Sequence, residues 1–242
     1  MMPVQQTLLL AVTKMHGGMC IAGMTTEPDR VTGLRWVRPV RDHAHVMLGD
    51  VATAEGQVLR PFDVAELNLV RPRAEPPHTE DWVTDFARHR PRVVRRLEGD
   101  RRATFLSEHL DSDADQVLTA HERSLCLIRP DWMRGAFRLD SYSGKLEARI
   151  TFGLGQEEYL GSQTKGGLSV TDIKWRALGR SWLPDEGGLM EFEKDSLKAR
   201  LGAREIFLVA GLTRSFKGDS WPIIVGVHLV PDYEAEVDYA NL

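Results

Sequence analysis

The sequence has two cysteines and no apolar run long enough to cross a bilayer. Cys20 and Cys126 both lie in apolar, strand-like segments, which favours buried free thiols over a disulfide or a metal pair. A membrane-spanning helix needs about 20 consecutive apolar residues. The N-terminal residues carry neither a basic segment nor a signal-cleavage pattern. These absences predict a cytoplasmic protein without a membrane partner.

An excess of one charge sign is also missing. The chain has 31 Lys and Arg against 35 Asp and Glu, which gives a formal net charge of −4. A strong nonspecific nucleic-acid binder usually has a basic excess, so this balance argues against that class. The distribution is uneven, however, because residues 1–102 are net +2 and the remainder is net −6.

Motifs of the common catalytic and metal-binding classes are absent as well. There is no His-Glu-x-x-His, no Gly-x-Ser-x-Gly and no paired-cysteine motif. His43 and His45 could share one face of a strand, but no third ligand follows at a recognisable spacing. The pair Gly166-Gly167 lacks the Gly-Lys-Ser/Thr of a phosphate-binding loop. We therefore expect no metal and no cofactor; the remaining candidate ligands are His16, Cys20, Asp42 and His78.

Short apolar segments separated by turn residues predict a β-rich chain. Segments 7–12 and 19–24 flank Gly17-Gly18, which predicts a hairpin, and a third strand is expected at 34–40. Alternation over Phe62–Leu69 predicts a fourth strand. Later strands are expected at Ser124–Ile128, Phe137–Asp140, Lys145–Phe152, Arg204–Leu212 and Pro222–Val230.

Helical inserts are expected between these strands. Residues 79–110 are predicted to form two helices separated at Pro91, and residues 171–180 and 191–201 to form shorter ones. The proline-rich residues 71–78 are expected to be irregular. The fold class is thus mainly β with helical inserts, in two blocks at 1–120 and 121–242.

The first and last hairpins share a pattern. Leu10–Lys14 and Ala210–Arg214 each combine an apolar strand with a Thr and a cation, and each precedes a glycine-containing turn and a second apolar strand. An internal duplication and a chance likeness of two hairpins both stay open.

Cations surround a tryptophan after the first hairpin. Lys14 precedes the turn, and Arg35, Trp36, Arg38 and Arg41 follow in a strand-like segment. Trp36 and Arg38 share one face of a strand, and an aromatic ring beside cations suits a stacked base with its phosphate. The alternative is a core tryptophan with Arg38 extending to the surface.

The last hairpin repeats this chemistry with Arg214, Lys217 and Trp221. Such cations could pair with phosphates. A solvated hairpin tip explains them equally.

A third candidate lies at the start of the helix predicted from residue 171. Thr171 or Asp172 would serve as the N-cap, which places Lys174, Trp175 and Arg176 in the first turn. A helix N-terminus favours anions. Capping alone also explains the Thr-Asp pair.

Two further clusters stay open between a function and a structural role. Residues 88–102 contain seven arginines, which suggest a cationic helix face for a nucleic-acid backbone or a merely solvated surface. The stretch His78-Thr-Glu-Asp81 could be an acid/base cluster or a helix cap.

Several of these motifs together resemble a known family. The Thr13-Lys14 strand, the Gly-Gly turn, Cys-Ile-Ala-Gly23 and Arg-Trp-Val-Arg-Pro-Val40 are similar to bacterial tandem OB-fold proteins, the dual OB-containing domain family. Further similar elements are Tyr159, Val170-Thr-Asp172 with Trp175, Leu-Thr-Arg214 and Ile-Val-Gly226. The resemblance implies two small OB-like β-barrels and a nucleic-acid-binding role, within bacterial defence or mobile-element systems.

The leading hypothesis is therefore a non-catalytic protein that binds single-stranded or structured DNA or RNA. Trp36 is expected to stack a base, so its replacement by Ala should weaken binding by roughly 1–3 kcal/mol. One alternative is a protein-interaction adaptor for a separately encoded nuclease or helicase, which needs an exposed apolar patch. Another is an enzyme acting on a nucleotide or small polar ligand through His43, His45 or Asp172.

Overall fold

The protein is described here by a computed structural model that covers residues 4–15, 17–30, 33–215 and 217–240. Strands hold 44% of the residues and helices 16%, which makes the fold mainly β and consistent with OB-like barrels. Within the described ranges, no helix has the length and apolar character needed to cross a membrane.

The first half of the chain forms seven strands, a short 3-10 helix and two α-helices. They are β1 (Gln5–Met15), β2 (Gly18–Thr25), β3 (Trp36–Val40), the 3-10 helix Leu48–Val51, β4 (Asp63–Leu67), β5 (Leu69–Pro72), β6 (Asp81–Thr84), β7 (Arg92–Arg96), α1 (Asp100–Glu108) and α2 (Asp115–Leu118). The strands make one sheet in the order β5-β6-β3-β2-β1-β4-β7. In this sheet β3 and β6 run parallel, and the other described strand pairs are antiparallel.

The second half forms two further sheets. Its elements are β8 (Leu125–Ile128), β9 (Trp132–Leu139), β10 (Leu146–Leu154), β11 (Glu157–Tyr159), the 3-10 helix Gln163–Lys165, β12 (Leu168–Ser169), α3 (Ile173–Trp182), β13 (Gly188–Glu193), α4 (Lys194–Leu201), β14 (Glu205–Leu212) and β15 (Pro222–Val230). One sheet has the order β11-β10-β9-β13, with β12 beside β10, and the other has the order β15-β14-β8.

The sheet β15-β14-β8 is buried on both faces. Phe207 and Val209 point to a central core shared with β1, β2 and β4 of the first sheet. Ile206 and Leu208 point instead to a second core around Trp175. The continuous apolar runs of β14 and β15 follow from this double burial, because neither face meets water. The central core contains side chains from both predicted blocks, 1–120 and 121–242. The assignment of one barrel to each block stays a prediction.

Most predicted strands are confirmed, but the two helices predicted over residues 79–110 are confirmed only at α1 and are wrong before residue 99. Residues Asp81–Thr84 and Arg92–Arg96 are strands, and only α1 is helical in this region. Strand β6 fills a place beside β3, and β7 pairs with β4 at the sheet edge. Long-range pairing has therefore overridden the local helix signals. The expectation of irregular structure over 71–78 is also wrong at its start, because β5 extends to Pro72.

The two hairpins that were compared in sequence are both antiparallel and both irregular in register. The irregularity lies between Leu9 and Ala11 in the first and between Val209 and Ala210 in the second. Gly23 lies opposite Leu9 at the first. A Cβ atom on Gly23 would stand 2.0 Å from the Leu8 carbonyl oxygen, so only glycine fits there.

We expect Gly23→Ala to lower the free energy of unfolding by about 3 kcal/mol, because backbone atoms rather than a flexible side chain must move. Urea denaturation followed by circular dichroism measures this change. Gly49→Ala is the control, because no heavy atom lies within 4 Å of the added methyl group. Equal effects at the two positions would contradict the packing explanation.

A buried histidine joins the terminal strands of the two hairpins. The Nε2 atom of His228 on β15 lies 2.8 Å from the Leu10 carbonyl oxygen of β1. The ring also packs edge-on against Phe62, with 4.8 Å between the ring centroids. Burial lowers the pKa of His228 to about 4 from an ordinary value of 6.5. The folded protein therefore holds this ring neutral.

This depressed pKa predicts a pH-dependent contribution to stability. Between pH 6.5 and 4 the unfolded chain binds a proton at His228 that the folded chain does not, so stability falls as pH falls. The loss at this residue reaches about 3 kcal/mol near pH 4. We expect His228→Gln to remove that part of the pH dependence, as measured by urea denaturation from pH 4 to 7. Asp172 titrates in both proteins, so its effect cancels in the difference. Parallel stability curves for the two proteins would contradict the prediction.

Candidate nucleic-acid interface

Cations from the two hairpin regions meet at one buried carboxylate. Arg38 Nε lies 2.6 Å from Asp81 Oδ1, and Arg214 Nη1 lies 2.6 Å from Asp81 Oδ2. The side chains of Arg38 and Asp81 are buried, whereas that of Arg214 is 53% exposed. The structure thus joins two of the three stretches that the sequence singled out.

The parallel pairing of β3 with β6 positions this cluster. Arg38 is the register partner of Asp81, and the Arg38 amide donates to the Glu80 carbonyl at 2.8 Å. Arg214 reaches the same carboxylate from the loop after β14. The neighbouring Glu80 carboxylate accepts from the Ser124 amide, the Ser124 hydroxyl and the Leu125 amide. Residues 80 and 81 therefore connect the first sheet to the start of β8 and the end of β14.

Hydrogen-bonding groups in this cluster are left unused. Arg38 Nη2 and both ring nitrogens of His78 are buried without a hydrogen-bond partner of normal geometry, although the Thr213 backbone lies close to the ring. Burial, with help from the Arg38 and Arg214 charges, lowers the pKa of His78 to about 4. The ring is therefore neutral at pH 7. Unsatisfied buried donors are rare in proteins and call for an explanation.

An aromatic ring lies beside the cluster, and the two hairpins carry further exposed cations. Trp221 is 48% exposed, and its amide donates to the Thr213 hydroxyl at 3.0 Å, one residue before Arg214. Lys14 and Lys217 are exposed. We call Lys14, Arg38, Asp81, Arg214, Lys217 and Trp221 the hairpin end.

Cys20 links the first hairpin to the same place. It is the register partner of Thr13 on β1. Burial of its thiol raises the pKa of Cys20, while the charges of Arg38 and Arg214 act in the opposite direction. The thiol is therefore protonated at pH 7 and lies within electrostatic reach of both guanidinium groups. Both cysteines are free, as expected.

The structure corrects the exposure expected for Trp36. The residue is only 9% exposed and its ring belongs to the central core. Both of its faces are thus unavailable to a base without rearrangement. The core alternative considered from sequence describes its position.

Arg35 and Arg41 are both committed to partners within the chain. Arg35 donates to the Gln5 side chain at 3.1 Å and stacks over the Trp82 ring at 4.9 Å. Arg41 makes two hydrogen bonds to the Asp50 carboxylate. Phosphate contacts from either would compete with these bonds.

The N-cap predicted at Asp172 is confirmed. Its Oδ1 atom accepts from the amides of Lys174 and Trp175, and its Oδ2 atom accepts from the Val227 amide. Burial raises the pKa of Asp172 to about 6, although the three amides oppose that rise. Three backbone donors already hold this buried carboxyl, so it is poorly placed as an acid or base for a ligand.

The side chains after this cap point in different directions from those expected. Trp175 is fully buried and lies against Phe137 and Phe192 in the second core. Arg176 donates to the Leu146 carbonyl, and burial lowers its pKa. Lys174 Nζ lies 2.8 Å from Asp232. The helix N-terminus therefore does not present these three residues together as one anion site.

The arginine-rich residues 88–102 do not form one helix face, because Arg92–Arg96 are the edge strand β7 and α1 begins at Asp100. Arg92 pairs with Glu66, and Arg96 pairs with the buried Asp63. Arg95 is exposed. Two of the three arginines of β7 are thus matched by carboxylates of β4.

The histidines considered as ligands do not converge. His43 and His45 are exposed, and His16 lies outside the described residues. Among the residues that the structure describes, no group of three or more His, Cys, Asp or Glu side chains could hold a metal ion.

Sequence reasoning missed the role of Asp81 at the hairpin end. The pattern His78-Thr-Glu-Asp81 predicts an acid/base cluster or a helix cap, and neither includes an ion pair with Arg38. The ion pair with Arg38 spans 43 residues, and no local signal marks such a partner. The pairing of β3 with β6 was the missing information.

Comparison with known proteins agrees with the architecture. Neither the curated proteins nor the solved structures give a match. The family model described as "Dual OB-containing domain" matches residues 5–227, nearly the whole chain. OB-folds are small barrels whose strands and loops bind oligonucleotides or oligosaccharides in other proteins. The chain belongs to the dual OB-containing domain family.

Proposed function

We propose that this protein binds single-stranded or structured nucleic acid at the hairpin end, without catalysing a reaction. The observation that carries the proposal is the convergence of Arg38 and Arg214 on the single Asp81 carboxylate. Two guanidinium groups share one carboxylate there, so positive charge remains for an incoming anion. The family resemblance extends this proposal to a cytoplasmic role in bacterial defence or mobile-element systems.

Each exposed residue of the hairpin end has a distinct role in this proposal. A guanidinium has five N–H donors, and Arg214 uses Nη1 for Asp81 while half of its side chain meets solvent. Its other donors suit a phosphate. Lys14 and Lys217 add charge for neighbouring phosphates. Trp221 offers a ring for a stacked base, which replaces the role first considered for Trp36.

The buried members of the cluster act on Arg214 rather than on the ligand. Asp81 fixes the guanidinium, and Arg38 fixes Asp81 through a buried ion pair. A neutral His78 beside them adds no competing charge. This arrangement limits the freedom that Arg214 loses on binding, which favours affinity.

We expect Trp221→Ala to weaken binding of a labelled single-stranded oligonucleotide by about 1–3 kcal/mol, because one stacked base loses its platform. Fluorescence anisotropy with DNA and RNA at two salt concentrations measures the change. Tyr142→Ala is the matched control, because Tyr142 is 99% exposed on a turn of another sheet. Equal losses from both variants would reject the stacking role.

Arg214→Gln tests the phosphate contact. We expect weaker binding and a salt dependence reduced by about one phosphate contact. Arg138→Gln, an exposed arginine on β9, makes the same charge change elsewhere and should leave the salt dependence unchanged. Circular dichroism confirms that both variants fold. If the wild-type protein binds no oligonucleotide at low salt, the proposal fails and a protein partner becomes the better hypothesis.

A further inference from the structure

The chain after β15 runs as an extended segment with strict alternation. We call residues 231–240 the strap. Tyr233, Ala235, Val237 and Tyr239 are buried or half-buried, whereas Asp232, Glu234, Glu236 and Asp238 are exposed. Side chains of an extended chain alternate in this way. One edge of the strap is apolar and packs on the body of the protein. The opposite edge carries a row of carboxylates.

Side chains rather than backbone hold the strap in place. Within the described part of the chain, no backbone–backbone hydrogen bond involves residues 231–237. Tyr233 packs in the second core beside Trp175. Val237 and Tyr239 pack on a third core formed by the first sheet. A segment anchored by side chains alone can detach over part of its length without breaking a sheet.

Beneath and beside the strap lies a cavity of about 650 Å³. Its walls on the body of the protein contain four cations and two carboxyl groups, and the strap adds three more carboxyl groups. The cations are Arg60, Arg96, Arg102 and Lys174; the carboxyl groups of the body are Glu98 and Asp172; those of the strap are Asp232, Glu234 and Glu236. The body therefore contributes a net positive charge to the cavity walls. The three strap carboxylates make the net charge of the walls negative.

One strap carboxylate already occupies a site between two cations. Asp232 pairs with Arg102 through one oxygen and with Lys174 through the other. Arg102 also lies over the Phe62 ring, at 4.6 Å from its centroid. A carboxylate between two cations beside an aromatic ring resembles the way a phosphate and its base are held.

Other opposite charges face the same cavity without ion pairs. Glu234 and Glu236 form no ion pair with described residues. Arg60 forms none either, and its side chain hydrogen-bonds the Tyr239 hydroxyl of the strap. Glu234 and Glu236 therefore lower the positive potential of the groove, which weakens its attraction for anions. They do so without forming ion pairs with the groove cations, so the groove stays open.

We propose that the groove lined by Arg60, Arg96, Arg102 and Lys174 is a second binding surface for the nucleic-acid backbone, and that the acidic strap is its intramolecular occupant. This inference rests on the proposed nucleic-acid binding. A strand enters the groove by displacing the strap beyond Tyr233 and by taking the place of the Asp232 carboxylate at Arg102 and Lys174, while the Tyr233 ring stays anchored in the core. Displacing the strap costs free energy. Only a polyanion that contacts several groove cations through its phosphates recovers that cost.

The test compares two double variants with the same charge change. Glu234→Gln with Glu236→Gln neutralises the strap, and Glu157→Gln with Glu158→Gln neutralises exposed residues of β11. We expect the strap variant to bind a single-stranded oligonucleotide about fivefold or more tightly than wild type, with a steeper salt dependence, and the β11 variant to change less than about twofold. Adding Arg60→Gln to the strap variant should abolish most of the gain.

Proteolysis reports the displacement itself. Endoproteinase Glu-C cuts after Glu234 and Glu236, and wild-type protein should be cut faster there when the oligonucleotide is bound. Slower cutting would overturn the inference, as would equal gains in the two double variants.

The outcomes separate this inference from the hairpin-end proposal. If wild type binds in an Arg214-dependent way and the strap variant binds equally well, the hairpin end stands and the groove fails. If only the strap variant binds, and does so through Arg60, the groove stands and the hairpin end fails. Absence of binding in both proteins overturns both.

Discussion

The buried carboxylate of Asp172 joins elements that are far apart in the sequence. It caps α3 through the amides of Lys174 and Trp175, and it binds the Val227 amide of β15. The backbone of Asp172 also forms an isolated antiparallel β-bridge with Thr13 near the end of β1. Burying a carboxyl is unfavourable unless hydrogen bonds compensate, and three backbone donors do so here. The start of α3 in turn places Trp175 in the second core and Lys174 against the strap, so the relation of helix, hairpins and strap depends on this group.

Many of the cations that the structure describes pair with carboxylates of the same chain. Arg41, Arg96 and Arg102 each hold a partner within the chain. A chain of net charge −4 can still present local positive potential. It does so where two cations share one acid, at Asp81 and again at Asp232. A functional prediction for such a protein has to be made from the pairing of charges rather than from their number.

The sequence was informative wherever the signal was local. Gly17-Gly18 marked a hairpin, alternation marked β4, and the Asp172 cap followed from its position before a helical segment. Residues 79–96 misled because acidic and arginine-rich stretches favour helices in isolation, whereas the sheet required strands β6 and β7 there. The partners of cations were equally invisible, since the ion pair of Arg96 spans 33 residues. Burial of Trp36 and Trp175 depended on which sheet faces meet, a property of tertiary structure alone.

The contact between His228 and Leu10 has a kinetic consequence. It joins residues 218 positions apart, and closing so long a loop is entropically costly and slow. The β1–β2 hairpin can form early because its turn is short. Its packing against β15 has to await the last strands of the chain. Arg214 contacts Asp81 only in that final arrangement. A partly folded chain therefore contains the cations of the hairpin end without the ion pair that positions Arg214.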